Sequence, residues 1–566
     1  MCGIVAGKDF SYSPEKVRQA LVTIKSRGPD KSQIKQINKS TFMGFNLLGL
    51  ASDQVDWLSQ PFTNKNNTLS VCVNGEIYNY KTLRFELEQQ GCVFTTMSDC
   101  EVVLFGLELY GPDFFSRLNG EFALVAYDQI SDKWLCAVDR VGTKPLKYFC
   151  NQQKFLIASS VAALKELGVV VKLNDKNCLF SFNTSCVPTG QSLFADIKTI
   201  PPGHFLEVCG QFETKVKAYQ ADINSFEIYG NEIEKNFEEA VRVRIPKYFK
   251  PAVALSGGID SSIVALYLKK SNVDFSCYSL DFSNSHYSEH EDIKIFCDDN
   301  QISTTYISAS EGLIRNHFPA SIVNAENSVI NPHSAGKLIL NKAIAAAGHR
   351  VCFTGDGADE LFWGYDHFHK DNPFQFVDDS NAIGRLYLQI LKPEHYSSLL
   401  ESNLLNDYQT IKNNPSAQDL YYHYWFNEYG LKILGDSQSA TQSIEYRYPF
   451  VDRVLLASLK SKMTREENFP SKMVLRNLIG KIDPKKAKVL KKPFTAPIMT
   501  ANWVPLFERY VLTEKFKALD LFDYKKLEQY ILRLRSQYIP NSPRAHSILL
   551  SQILSIGILN QELCNG

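Results

Sequence analysis

Neither sign of charge is in excess in this chain, where 61 lysines and arginines balance 61 aspartates and glutamates over 566 residues. That balance excludes a polybasic nucleic-acid binder. Long apolar runs are absent too. Nothing approaches the roughly 18 consecutive apolar residues of a membrane span, and the opening MCGIVAGKDFSYSPEK has neither the basic start nor the apolar stretch of a secretory signal. Paired cysteines are missing as well: the 13 cysteines stand singly from Cys2 to Cys564, with no Cys-x-x-Cys and no Cys/His cluster. This speaks against structural zinc and a disulfide scaffold, and for a reducing compartment. A soluble, cytoplasmic protein is expected, with no nucleic-acid or membrane partner.

What the chain does have is ordinary globular material, 44% hydrophobic and 22% charged. At about 100 to 200 residues per domain, two to four domains are expected. Up to about residue 210 it reads as short β-rich runs bounded by Gly, Asn or Asp, such as LSVCVNGEIYNY, GEFALVAYD, KWLCAVDR and KFLIASS. Helical periodicity shows there in only two places, PEKVRQALVTIKS and YKTLRFELEQQG with the following DCEVVLFGLELYG. Past Pro201–Val208 the sequence turns polar and irregular, and a helix pattern starts at NEIEKNFEEAVRVRI. The expected division is a first domain over 1–210, a linker over 211–230 and a second domain over 231–566. From Pro251, apolar runs alternate with glycine turns and helices, the pattern of a parallel α/β sheet, and the stretch after Asp366 is mostly helical.

Three constellations carry chemistry. If Met1 is removed, Cys2 presents a thiol beside a free α-amine that can act as its base. Position alone says little, and an incidental cysteine is the plain alternative. The second constellation is Ser256-Gly257-Gly258-Ile259-Asp260-Ser261-Ser262, between the apolar run PAVAL and an amphipathic helix. Such a turn offers successive N–H groups at the positive end of a helix and cradles phosphate. It is not a Walker loop, because no Gly-Lys-Ser/Thr follows. The third is TGDGADELFWGY (Thr354 to Tyr365), where Asp356, Asp359 and Glu360 sit beside glycines and suit Mg²⁺, which prefers oxygen ligands.

These motifs have a familiar combination. MCGI, SRGPD (Ser26 to Asp30), NGEIYN (Asn74 to Asn79) and SDCE (Ser98 to Glu101) together resemble the glutaminase domain of class II glutamine amidotransferases. The SGGIDSS turn looks like the pyrophosphate loop of ATP pyrophosphatases. With TGDGADELFWGY, PPGH, SIEYRYPFVD (Ser443 to Asp452), SKMVLR (Ser471 to Arg476) and KKPFTAP (Lys491 to Pro497) in order, nearly the whole chain resembles glutamine-hydrolysing asparagine synthetases. The resemblance implies an αββα sandwich of the N-terminal-nucleophile type, followed by a parallel-sheet α/β ATP pyrophosphatase domain with a helical C-terminal part.

It also implies roles. Cys2 would attack glutamine, Asn74 and Gly75 would form the oxyanion hole, and Arg27, Glu76 and Asp99 would complete the glutamine site. Ser256, Gly257, Gly258, Asp260 and Ser261 would grip pyrophosphate, while Ala254, Leu255, Leu280, Thr354 and Gly355 would hold the rest of ATP. Asp260 and Asp359 would bind Mg²⁺, Asp356 would serve acyl-adenylate formation, and Lys472 would neutralise developing charge. Ammonia from glutamine would pass through an internal tunnel to the adenylated carboxylate, aspartate by default. The partners are then small molecules: glutamine, ATP and the acceptor, with a homodimer left open.

The chain departs from that pattern in three places. Where the family has Gly-His-x-Arg-Leu, whose arginine binds the glutamine carboxylate, this chain reads Gly44-Phe45-Asn46-Leu47-Leu48, and no arginine lies between Arg27 and Arg84. The family's Asp-Arg-Met-Ser-Met-Ala-His is here Asp436-Ser-Gln-Ser-Ala-Thr-Gln442, and Arg-x-Lys-x-Gly-Phe is here Leu490 to Phe494. Drift in a packing surface and an acceptor other than aspartate are both open. So are intramolecular amide formation, as in β-lactam or lasso-peptide synthetases, and a non-catalytic shell.

Overall fold

The computed structural model describes every residue except 12, 51–59, 220–232, 283–288, 363, 366–382, 411–412, 414–416, 461–471, 490–497, 537–542 and 566. In the first domain the strands run in chain order: β1 (Gly3–Asp9), β2 (Lys31–Gln36), β3 (Thr41–Leu47), β4 (Phe62–Thr63), β5 (Leu69–Ile77) and β6 (Gly120–Asp128). β7 (Lys133–Val138), β8 (Lys147–Cys150), β9 (Lys154–Ala158), β10 (Ile197–Thr199), β11 (His204–Cys209) and β12 (Glu213–Ala218) follow. They form two six-stranded sheets, ordered β10-β8-β9-β1-β3-β2 and β12-β11-β7-β6-β5-β4.

Strand alternation makes the layers. Along β1, Ile4 and Ala6 pack inward with Met43, Phe45, Val125, Trp134 and Cys136, so one core lies between the sheets. Val5 points the other way, onto Val17 and Leu21 of the helix Pro14–Thr23. On the far sheet, Val71, Val73 and Leu124 meet Leu83, Leu87 and Leu104 from the helices Tyr80–Gln89 and Val102–Tyr110. This is the expected αββα sandwich.

Two helices in this domain lay outside the sequence reading, which placed helical periodicity in only two stretches. Val161–Glu166 is too short to show a period, and Ser160 caps it by accepting from Ala163 N–H at 3.1 Å. Asp175–Thr184 is buried on nearly all sides and so has no amphipathic stripe. It is wedged against the second domain, with Phe182 stacked on Tyr387 at 4.4 Å and the Ser181 carbonyl accepting from Gln552.

The second domain carries a five-stranded parallel sheet ordered β15-β14-β13-β16-β17. Its strands are β13 (Ala252–Ala254), β14 (Ser276–Asp281), β15 (Thr304–Ser308), β16 (Val351–Phe353) and β17 (Glu445–Arg447). Chain order reverses at β13, which opens a crevice at the carboxyl ends of β13 and β16, the usual ligand position in such sheets. β17 lies inside SIEYRYPFVD, in the stretch read as mostly helical; three residues are too few to show alternation. The C-terminal helix Pro543–Glu562 is buried from Ser547 to Asn560. No described helix is long and apolar enough to cross a membrane.

Candidate active sites

The first centre forms where β1 begins. Cys2 lies between the sheets, and its backbone N–H donates to Asn74 Oδ1 at 2.7 Å. With that oxygen engaged, Asn74 Nδ2 is fully buried and has no hydrogen-bond partner among the described residues, a donor left over in the amide that holds Cys2. Gly75 follows with φ of +141°, and a Cβ there would lie 1.9 Å from the Glu121 carbonyl oxygen, so only glycine is tolerated. Leu48 N–H points at Cys2 Sγ from 3.4 Å. Burial pushes the Cys2 thiol up to about 11, against the pull of the nearby terminal amine, so attack requires a base.

The expected glutamine residues surround this point. Asp99 Oδ2 accepts from Ile77 N–H at 2.7 Å, and burial pushes its carboxyl up to about 6. Burial likewise pushes Glu76 up, opposed by Arg447, whose Nη2 lies 3.0 Å from Glu76 Oε1. Arg27, expected at the glutamine site, adjoins Cys2 and also reaches the second domain. Its Nε donates to the Cys2 carbonyl at 3.2 Å and its Nη2 to the buried Asp436 at 2.8 Å. Leu47 is buried at the end of β3, paired in register with Lys31.

The second centre lies at the crevice. Ser256 N–H bonds Ser261 Oγ at 2.9 Å, and Gly258 N–H bonds Ser256 Oγ at 3.3 Å, closing the loop ahead of the helix Ile259–Lys270. The turn after β16 comes very close: a Cβ on Gly355 would lie 2.5 Å from Ser261 N. That contact brings the second and third motifs together. Lys472 Nζ then bridges Asp260, at 2.6 and 2.7 Å, and Asp359, at 2.7 Å. Burial opposes the Lys472 charge, but the two aspartates hold its ammonium above its ordinary range. Glu360, protected by burial and beside Asp359, is pushed up to about 7 and accepts from Tyr365 Oη at 2.6 Å. Ala254, Leu255 and Leu280 close the strand ends, Thr354 N–H bonds the Arg447 carbonyl at 3.2 Å, and Asp356 stands at the crevice rim. Ser471 and Lys491–Pro497 lie outside the described residues.

Four charged groups were not singled out from sequence. Glu445 Oε2 lies 3.5 Å from the Met1 amine, and although burial alone would raise Glu445, the amine and Arg447 pull it down to about 2. Arg447 binds Glu445 and Glu76 at 3.0 Å each. Lys144 is buried, and its ammonium has no hydrogen-bond partner among the described residues. Lys486 is buried with Nζ 2.7 Å from the Gly257 carbonyl, and it adds a second cation at the SGGIDSS loop. Glu445 and Arg447 sit in a quoted motif, but nothing in one sequence says that they reach the other domain.

Comparison with known proteins agrees with both halves. Residues 1–220 match a glutamine amidotransferase domain, and residues 232–554 match asparagine synthase. The amidase chyE of Penicillium rubens is 23% identical over 88% of this chain and 88% of its own length. The amidase chry2 of Gibberella zeae is 28% identical over 66% of this chain and 60% of its own length. The glutamine-hydrolysing asparagine synthetase 1 of Bacillus subtilis is 24% identical over 89% of this chain and 88% of its own.

Proposed function

The chain belongs to the asparagine synthase family, and we propose that it hydrolyses glutamine at Cys2 and delivers the ammonia to a carboxylate that its second domain has adenylated. One residue carries this reading. Arg447 holds Glu76 of the first centre with its side chain, while its carbonyl receives the N–H of Thr354, which opens the GDG turn of the second. The two centres are therefore built on a common strand, β17.

Removal of Met1 would leave the Cys2 α-amine as the base that takes the thiol proton. The thiolate attacks the side-chain carbonyl of glutamine, and the Asn74 amide and Gly75 N–H stabilise the oxyanion. Ammonia leaves, and water releases glutamate from the thioester. In the second centre a carboxylate oxygen attacks the α-phosphorus of ATP. The bond to pyrophosphate breaks with its charge beside Lys472 and Lys486, and ammonia displaces AMP to give the amide. Asp260 and Asp359 fit Mg²⁺ as well as an ammonium: two carboxylates converge on one cationic position with hard oxygen donors. The ion would shield the phosphates when bound.

Aspartate is the default acceptor. Similarity to two proteins named amidases, together with the altered segment Asp436–Gln442, favours a second reading in which the acceptor is another carboxylate. Incubation with glutamine, ATP, Mg²⁺ and aspartate tests both. Glutamate with asparagine supports the default, glutamate without asparagine supports the second reading, and absence of glutamate contradicts a working first centre.

A further inference from the structure

The N–H groups at the head of the SGGIDSS turn are held in two different ways. Those of Ser256 and Gly258 are bonded by hydroxyls of the turn itself, Ser261 Oγ and Ser256 Oγ. The N–H between them, on Gly257, donates at 3.1 Å to a carboxylate from outside the turn, Glu289 Oε2, 32 residues further along the chain. Glu289 directly precedes the helix His290–Asn300, and its side chain lies flat on the turn. A Cβ on Gly257 would stand 2.8 Å from Glu289 Cβ, 3.0 Å from Cδ and 3.1 Å from Oε1, so the carboxylate comes this close only because residue 257 has no side chain.

The carbonyl of the same glycine carries the opposite charge. Lys486 Nζ donates to it at 2.7 Å. Burial lowers the Lys486 ammonium below the usual lysine range, opposed by Asp292, in the first turn of the helix His290–Asn300, and by Glu289. A backbone N–H at the head of a helix is what a phosphate oxygen takes in a turn of this kind. A carboxylate oxygen is an acceptor of the same charge sign. Glu289 and a phosphate therefore compete for one donor, and two anions set side by side repel.

We infer that Glu289 is a built-in competitor for the pyrophosphate portion of ATP. Its carboxylate holds the Gly257 N–H before ATP binds, swings off as the phosphates enter, and returns once ATP has been cleaved, so that a group of the protein itself displaces pyrophosphate. Lys486 stays on the Gly257 carbonyl, and its charge turns to the phosphates as the carboxylate moves away. The site binds ATP less tightly as a result and releases pyrophosphate faster. The inference rests on the adenylation reading given above, and the test separates the two.

Binding of inorganic pyrophosphate and of ATP, each with Mg²⁺, is measured by titration calorimetry on the full chain as wild type, Glu289→Gln, Glu289→Ala and Asp292→Asn. Both Glu289 variants are expected to bind pyrophosphate about tenfold more tightly than wild type, with the melting temperature unchanged. Asp292→Asn removes an equal charge from the same helix without touching the Gly257 N–H, and should change the affinity by no more than about threefold. Pyrophosphate affinity that is unchanged or weakened in both Glu289 variants, or raised equally by Asp292→Asn, overturns the inference and leaves adenylation standing. Binding of neither pyrophosphate nor ATP by any of the four proteins overturns adenylation itself, and the inference with it.

Discussion

The two centres differ in how they treat charge. At Cys2, ion pairs are dry and closed: Arg27 with Asp436, Arg244 with Glu121 and Asp452, and Arg447 with Glu76 and Glu445 are all buried or nearly so. At the second centre, Asp260 and Asp359 around the buried Lys472 are no more exposed than Glu76, and only the pair of Asp356 with Lys337 stands at a partly open position. Buried pairs fix geometry, and losing one partner is costly. Open pairs can exchange a carboxylate for a phosphate or a substrate. The first centre is accordingly a rigid device whose donors are preorganised, and the second a site that keeps one ion pair open to anionic ligands.

This contrast can be broken in steps of decreasing effect. Cys2→Ala removes the nucleophile, so glutamine-supported amide synthesis should fall below about 1% of wild type while ammonia-supported synthesis persists. Equal loss of both would end the division of labour. Asp260→Asn should lower both activities by at least about 100-fold while cooperative melting is retained, because it removes one of two carboxylates that converge on Lys472 and were proposed to hold Mg²⁺; preserved ammonia-supported synthesis would remove Asp260 from the second centre. Arg447→Met strands Glu76 and Glu445 without their cation and should cost about 3–5 kcal/mol in urea unfolding. A change under about 1 kcal/mol would show that the first centre's ion pairs are not the rigid frame described.

Smaller effects sharpen the comparison. Leu47→Arg restores a guanidinium at the end of β3 and should lower KM for glutamine about tenfold, the worth of a charge-assisted hydrogen bond. No change would mean that another cation, such as the buried Lys144, already serves the substrate carboxylate. Acidity acts on the same pocket. Asp99 titrates near pH 6 instead of in the ordinary carboxylate range, so its negative charge is lost as pH falls through 6. Glutaminase kcat/KM should drop across that window and recover above it. Asp99→Asn should flatten the profile.

Local motifs were legible in the sequence, and long-range partnerships were not. SGGIDSS and GDGADE each encode a turn within a few residues, NGE places a glycine inside β5, and the structure shows their geometry: the close approach of Gly355 to Ser261 and the positive φ of Gly75. The Arg27–Asp436 pair spans 409 residues, and although both partners sit in quoted segments, nothing local says that they meet. Asp436 heads a segment for which drift and a different acceptor were both open, and it anchors the arginine that bonds the Cys2 carbonyl. The helix Asp175–Thr184 was invisible because an element buried on all sides has no polar face to set its period. Lys337 and Lys486 read in sequence as ordinary lysines, and only folding places one beside Asp356 and the other on the SGGIDSS loop.

The most direct test of two centres on one strand is a single reaction containing amide-labelled glutamine, ATP, Mg²⁺ and the acceptor that supports pyrophosphate exchange. Glutamate, AMP and amide are followed together in the presence of excess unlabelled ammonium. The account predicts that glutamate and AMP form in near-equal amounts and that the product amide carries the glutamine label. Glutamate formed without AMP, or an amide carrying only unlabelled nitrogen, would contradict it.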